Sequence, residues 1–231
     1  MTKHFQTQTE LLKKKILRLT AMVEGHLRDA VRSVIDGDLK LAARIVVADD
    51  EIDQYEIEVE EECLKTLALY QPVAIDLRFI VAVLKINNDL ERIGDLAINI
   101  AQRTRNLTRH RGVGVPFDLN GMLTKTMAMV KGSADALVAS DTALAWKVCE
   151  DDEEVDRIHQ DAFGKIQEGI RARPDLVDYY VSLLSVSRNL ERIADHATNI
   201  AEDVIYMVDG EIVRHSGIDN VDNCQADDRE T

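Results

Sequence analysis

Proline, aromatic residues and cysteine are all scarce in this 231-residue chain, which has 3 prolines, 3 cysteines and only 4% aromatics. An all-β sandwich needs more turn residues, β-branched runs and aromatics than this. The cysteines, Cys63, Cys149 and Cys224, are odd in number and far apart, so they form neither a disulfide framework nor a CxxC metal knot. Cys63 and Cys149 fall in apolar-periodic stretches and read as small buried hydrophobes. No apolar run approaches the roughly 20 residues that a bilayer span needs. The opening MTKHFQTQTE lacks the apolar core of a secretory signal. Positive charge is short as well: 28 Lys+Arg stand against 42 Asp+Glu, a formal net charge of −14. Such a balance repels phosphate backbones and excludes general nucleic-acid binding, leaving room only for a local basic patch. No phosphate-cradling G-x-x-x-x-G-K-S/T loop, no G-x-S-x-G elbow and no Cys/His nucleophile arrangement occurs, so the chain is expected not to be an enzyme. A soluble, cytoplasmic protein is the expectation.

What the chain has in abundance is helical periodicity. Leu12, Ile16, Leu19, Val23, Leu27, Ala30 and Val34 step by three and four and make one long stripe. Asp36-Gly37-Asp38 breaks it. A second stripe runs through Ala42, Ile45, Ile52, Val59, Cys63 and Leu67, and Gln71-Pro72 ends it. A third runs from Phe79 through Leu90 to Leu107. The segment 109–118, with two glycines and Pro116, is the best linker candidate. The same order then returns. Leu119 to Leu137 form a fourth stripe, Ala145 to Ile166 a fifth behind an N-cap offered by Ser140-Asp141, and Leu183 to Met207 a sixth after Arg173-Pro174.

The third and sixth stripes superpose at an offset of 100 residues, from Val83/Leu183 to Ile100/Ile200, and the second and fifth at 103, as in Ile52/Val155. The fold expected is all-α: two tandem three-helix bundles of six long helices, produced by internal duplication. The first repeat spans 1–108, the second 118–217, and an acidic, frayed tail 218–231.

The duplication is not uniform. LERIGDLAINIA (90–101) and LERIADHATNIA (190–201) agree at nine of twelve positions, whereas DLKLAARIVV and DTALAWKVCE agree at three of ten. Core packing tolerates swaps of similar volume, so packing does not explain that concentration of identity. Four of the shared residues are polar. Glu91, Asp95 and Asn99, and their copies Glu191, Asp195 and Asn199, recur at i, i+4, i+8 along one side of a helix. The preceding helices carry Asp49 and Asp53, repeated as Asp152 and Asp156. Each repeat therefore sets two carboxylate pairs on neighbouring antiparallel helices. Like charges at i, i+4 cost a helix only about 0.2–0.5 kcal/mol per pair, yet four matched pairs ask for a compensating positive charge.

A cation is one answer: converging carboxylates and an amide oxygen suit hard or borderline ions such as Mg²⁺, Mn²⁺, Ca²⁺ or iron. Ion pairing with Arg78, Arg92, Arg188 or Arg192 is a second, and a merely solvated acidic face a third. Other candidates are weaker. Asp156 and His159 resemble the Glu-x-x-His ligand pair of di-iron bundles, but the first repeat has Glu56 in place of the histidine. His196 has Leu96 as its counterpart, and His26 reads as a satisfied histidine at the edge of the core.

The segments QPVAIDLRFI (71–80), LERIGD (90–95), LERIADHATNIAE (190–202) and DGEIVRHSG (209–217) resemble the PhoU family over nearly the whole chain. That resemblance implies two three-helix bundles side by side and a cytoplasmic negative regulator of phosphate uptake and phosphate-starvation signalling. Such a protein couples the ATPase subunit of the phosphate ABC transporter to a sensor histidine kinase and meets the membrane only through these partners. It also implies cations (Mg, Mn, Fe or Zn) at the E/D-x-x-x-D motifs Asp49/Asp53, Glu91/Asp95, Asp152/Asp156 and Glu191/Asp195. The sequence departs from the family's element at one point, with Gly94 in one half and Ala194 in the other. The alternative function is a carboxylate-bridged metal-binding bundle with an oxidase or storage role. Apolar residues outside one clean stripe, Phe79/Ile80/Val81 and Leu183/Leu184, further lead us to expect a homodimer.

Overall fold

In a computed structural model that describes residues 3–110 and 112–210, the apolar stripes become seven α-helices and two 3₁₀ turns, with no strand among the described residues. They are α1 (Lys3–Asp36), α2 (Leu39–Val47), α3 (Asp49–Tyr70), α4 (Ala74–Leu107), α5 (Leu119–Ala139), α6 (Thr142–Ala172) and α7 (Val177–Asp209). The expected tail beyond 217 lies outside the described residues. Punctuation follows side-chain chemistry. Asp38, Asp118 and Asp141 cap α2, α5 and α6, each accepting backbone N–H bonds from the first turn. Ser140, expected to share the capping, instead sits in the left-handed region and closes α5. Gly210 closes α7 with φ +79°, a conformation glycine adopts without steric penalty.

Six helices become seven because the second stripe is interrupted. Ala48 forms a turn whose N–H reaches Arg44 O and Ile45 O, and α3 starts immediately after it. The β-branched pair Val46-Val47 weakens the last turn of α2, and the acids that follow favour a new helix N-terminus. In the second repeat Cys149 and Glu150 occupy the places of that valine pair, and α6 runs through unbroken.

Within each repeat the three helical segments pack on one another. Across the repeats α4 lies along α7, and α1 touches α5. The four central helices are thus α1, α4, α5 and α7, flanked by α2–α3 on one side and α6 on the other. One continuous core runs through both halves, from Leu12 and Ile16 in α1 to Val204 and Met207 in α7. The linker joins that core: Phe117 is buried, Val113 and Val115 pack against it, and Tyr179 donates its hydroxyl to Val113 O at 2.8 Å. Of the residues that suggested a dimer, Phe79, Ile80 and Leu183 are buried inside the chain, and Val81 and Leu184 are half-buried. No helix among the described residues is long and apolar enough to cross a membrane.

Gly94 shows how the duplication keeps its volume. A methyl there would stand 3.4 Å from the Ile52 side chain. The second repeat has Ala194 and Val155 at these positions, both fully buried. One carbon has moved from one helix to the other, a volume-conserving exchange.

Candidate functional site

The E/D-x-x-x-D pairs lie along the seam where α3 meets α4 and where α6 meets α7. Helical spacing of four places Glu91 and Asp95 one above the other on α4, half-buried beside the core residues Leu90, Ile93 and Ala97. The same register on α7 sets Glu191 and Asp195 beside Leu190, Ile193 and Ala194.

The second repeat draws its four carboxylates into one electrostatic group. The Asp152 carboxyl is pushed up to about 7, first by burial and then by Asp156, Asp195 and Glu191. Glu191 is raised by burial, then by Asp195 and Asp156. Asp195 sits at the exposed edge of the seam, yet the helices around it desolvate its carboxyl and Asp156 adds to the upward shift. Asp152 Oδ1 is buried without a hydrogen-bond partner. No ion pair reaches Asp152, Asp156, Glu191 or Asp195 among the described residues.

In the first repeat Glu91 is raised by burial, then by Asp95, with smaller contributions from Asp53 and Glu56. Here Arg92 folds back on its own helix and meets Glu91 at 3.4 Å and Asp95 at 3.5 Å. These contacts are the ion pairing foreseen as an alternative, and among the described residues they occur in this half alone. Asp53 is exposed, and the side chain of Asp49 lies outside the described residues. Asn99 is half-buried and Asn199 exposed, and no hydrogen bond joins either to the carboxylates among the described residues. Arg78 does not serve the file: its Nε donates to Met207 O at 2.9 Å. Among the described residues no three His, Cys, Asp or Glu side chains are already gathered as a ready-made ligand set. The carboxylates repel one another across each seam without closing on a common point.

The fit to a hard cation rests on the second repeat. It holds an orphaned buried carboxylate oxygen, three further carboxylates close enough to raise that group, and an amide one turn along on the same face. Oxygen donors of this kind suit Mg²⁺, Mn²⁺ or iron better than a thiolate-seeking ion. Cys63 is buried and Cys149 half-buried, with both thiols pushed up to about 12 by burial, so neither offers a thiolate near neutral pH.

A second polar pair in each repeat was not recognised from the sequence. Asn87 on α4 donates to Glu56 O at 2.9 Å and to Glu56 Oε1 at 2.8 Å, clamping α3 to α4. His159 Nδ1 lies 2.7 Å from Ser187 Oγ, clamping α6 to α7. Positions 56 and 159 correspond at offset 103, and 87 and 187 at offset 100, so the clamp keeps its place while its chemistry changes. The signal was available in the Glu56/His159 correspondence, but the partner on the next helix was not. His26 is half-buried with its pKa lowered by burial, and its Nδ1 is buried without a partner. It is therefore not the satisfied histidine expected.

Comparison with known proteins follows the same division of the chain. The PhoU domain matches twice, over residues 16–104 and 119–204. The phosphate-specific transport system accessory protein PhoU homolog of Pseudomonas aeruginosa is 36% identical over 222 residues, covering 94% of this chain and 90% of that one. PhoU homolog 1 of Thermotoga maritima is 32% identical over 211 residues, covering 90% of each chain. The crystal structure of PhoU from Pseudomonas aeruginosa superposes with a TM-score of 0.83 at 36% identity, covering 90% of this chain and all of that one. The phosphate transport system regulatory protein PhoU from Streptococcus pneumoniae does so at 0.82 and 26% identity, covering 90% and 99%.

Proposed function

The chain belongs to the PhoU family, and from that membership we propose that it is an accessory protein of phosphate-specific transport, acting as a cytoplasmic negative regulator of phosphate uptake and phosphate-starvation signalling. The observation that carries the reading is the double match of the PhoU domain, with relatives named as accessory proteins along nearly their full length. Coupling of the transporter's ATPase subunit to a sensor histidine kinase is the finer part of the proposal. It is supported by the resemblance and by the polar file held in common between the repeats outside the core.

In this reading Asp152, Asp156, Glu191 and Asp195 hold a divalent or iron cation in the second repeat, with Asn199 one turn beyond. Asp49, Asp53, Glu91, Asp95 and Asn99 form the corresponding set in the first. A bound cation supplies the positive charge that lets the carboxylates face one another. The residues themselves tie α6 to α7, or α3 to α4, and present a shared surface at the seam. The oxidase or storage alternative gains no support, because the first repeat has Glu56 where His159 stands and so lacks the paired carboxylate-x-x-His ligands of di-iron bundles.

The test is complementation of a strain lacking the gene. Deletion should switch on phosphate-starvation genes in phosphate-rich medium, and the wild-type chain should switch them off. The Glu91→Ala, Asp95→Ala, Glu191→Ala, Asp195→Ala variant should leave them on while circular dichroism shows it still helical. Normal repression by the folded variant would reduce the polar file to a structural role.

A further inference from the structure

We propose that the chain binds a tetrahedral oxyanion of the phosphate class in a basic pocket between the end of α4 and the start of α7, remote from the carboxylate seams. A cavity of about 440 Å³ is lined there by Arg103, Asn106, Arg109, His110, Asp178, Ser182 and Ser185, with Val181 at its side. It gathers two guanidiniums, an imidazole, an amide and hydroxyls in a chain whose net charge is −14. Neither Arg103 nor Arg109 forms an ion pair among the described residues, and Arg103 Nε is buried without a hydrogen-bond partner. A buried guanidinium N–H left unpaired is costly, and a planar fork of N–H donors suits a tetrahedral oxyanion.

The duplication provides an internal control. At offset 100, Arg103 corresponds to Asp203, Arg109 to Asp209, Ser185 to Lys85 and Asp178 to Arg78. At that opposite end Lys85 meets the buried Asp203 in an ion pair at 3.1 Å, and Arg78 donates to the backbone of Met207. At the pocket the carboxylate of that pair has been replaced by Arg103 and the ammonium by the neutral Ser185. One end of the α4–α7 interface holds an internal ion pair, whereas the other presents Arg103 and Arg109 to a cavity. The counterpart of the half-buried Arg103 is the buried Asp203, so the arginine is not fixed by the duplication.

Asp178 sets the specificity. A lone carboxylate beside two guanidiniums repels a fully ionised anion but accepts a hydrogen bond from one that keeps a proton. Monohydrogen phosphate has such a proton at neutral pH and sulfate does not, so the pocket should discriminate between two anions of nearly equal size and charge.

The test is calorimetric titration of the full chain with inorganic phosphate, in phosphate- and sulfate-free buffer at neutral pH. A chelator is included so that phosphate carried by a cation at the carboxylates is not counted. Saturable one-site binding is expected. Arg103→Gln should weaken it by about tenfold or more, the loss expected for one charge-assisted partner. Sulfate should bind at least about tenfold more weakly than phosphate, and Asp178→Asn should narrow that gap. Because Arg103→Gln could perturb the helix end, a second variant, Arg103→Asp with Ser185→Lys, transplants the ion pair found at the other end and should abolish binding while leaving the helical spectrum unchanged. Absence of saturable phosphate binding overturns the proposal, as does undiminished binding in both variants or sulfate binding as tight as phosphate. Because the chelator removes any cation, failure here leaves the regulatory reading intact, and failure of complementation leaves the pocket intact.

Discussion

Asp152 is the residue on which the chemistry of the carboxylate seam turns. Its carboxyl is raised to about 7 by burial and by three acidic neighbours, whereas in an unfolded chain it titrates near about 3.9. The folded state therefore holds a proton that the unfolded state has released between about pH 4 and pH 7. Over that window stability falls as pH rises, and above it the full penalty of a crowded carboxylate is present. Asp152→Asn removes the penalty and keeps the shape. In chelator-treated protein at pH 8 it should raise the melting temperature by roughly 2–4 °C, the shift that accompanies about 1 kcal/mol in a domain of this size, and the gain should vanish near pH 4. Thermal melts at both pH values check this, and an equal shift at both would locate the effect elsewhere. Much of the seam was legible in the sequence, because like charges repeated at one spacing on matched helices leave a pattern. That Arg92 neutralises only the first copy was not legible, because it depends on which way one exposed side chain folds.

At the scale of elements, the interface of α4 with α7 carries an asymmetry that periodicity could not disclose. Five of the six stripes became single helices as expected. The second stripe broke at Ala48, where two valines and a following acidic run outweighed a continuous apolar pattern. The partners of α4 across the duplication depend on how the two bundles face each other, and no spacing within one helix encodes that. His196 Nδ1 thus meets Asp89 Oδ1 at 2.8 Å across α7 and α4. The matched positions in the other half are Leu96 and Asn189, both buried. One half uses a histidine–carboxylate hydrogen bond where the other has an apolar side chain and an amide. His196→Leu alone should cost about 1–3 kcal/mol by stranding a part-buried carboxylate. Adding Asp89→Asn, which copies the residues of the other half, should restore stability to within about 0.5 kcal/mol of wild type. A double-mutant cycle by urea unfolding measures the coupling, and simple additivity of the two changes would remove the pair from the interface account.

Over the whole molecule, the internal offsets of 100 and 103 residues predicted duplication into two bundles, and the structure adds that these two bundles share one continuous core. Of the residues from which self-association had been expected, Phe79, Ile80 and Leu183 are buried in that core, while Val81 and Leu184 remain half-buried. The shared core lets the two halves diverge in charge while remaining alike in shape, so that one seam is braced by Arg92 and the other is left with an orphaned carboxylate oxygen. The cations proposed for these seams are open to elemental analysis by mass spectrometry of untagged protein. The account predicts metal in both halves of the wild-type chain. Glu191→Ala with Asp195→Ala should empty the second seam and leave the first loaded, and Glu91→Ala with Asp95→Ala should do the reverse, since separated sites behave nearly independently. Wild-type protein without metal after incubation with Mg²⁺, Mn²⁺, Zn²⁺ and Fe²⁺, or metal content unchanged in both variants, would contradict it.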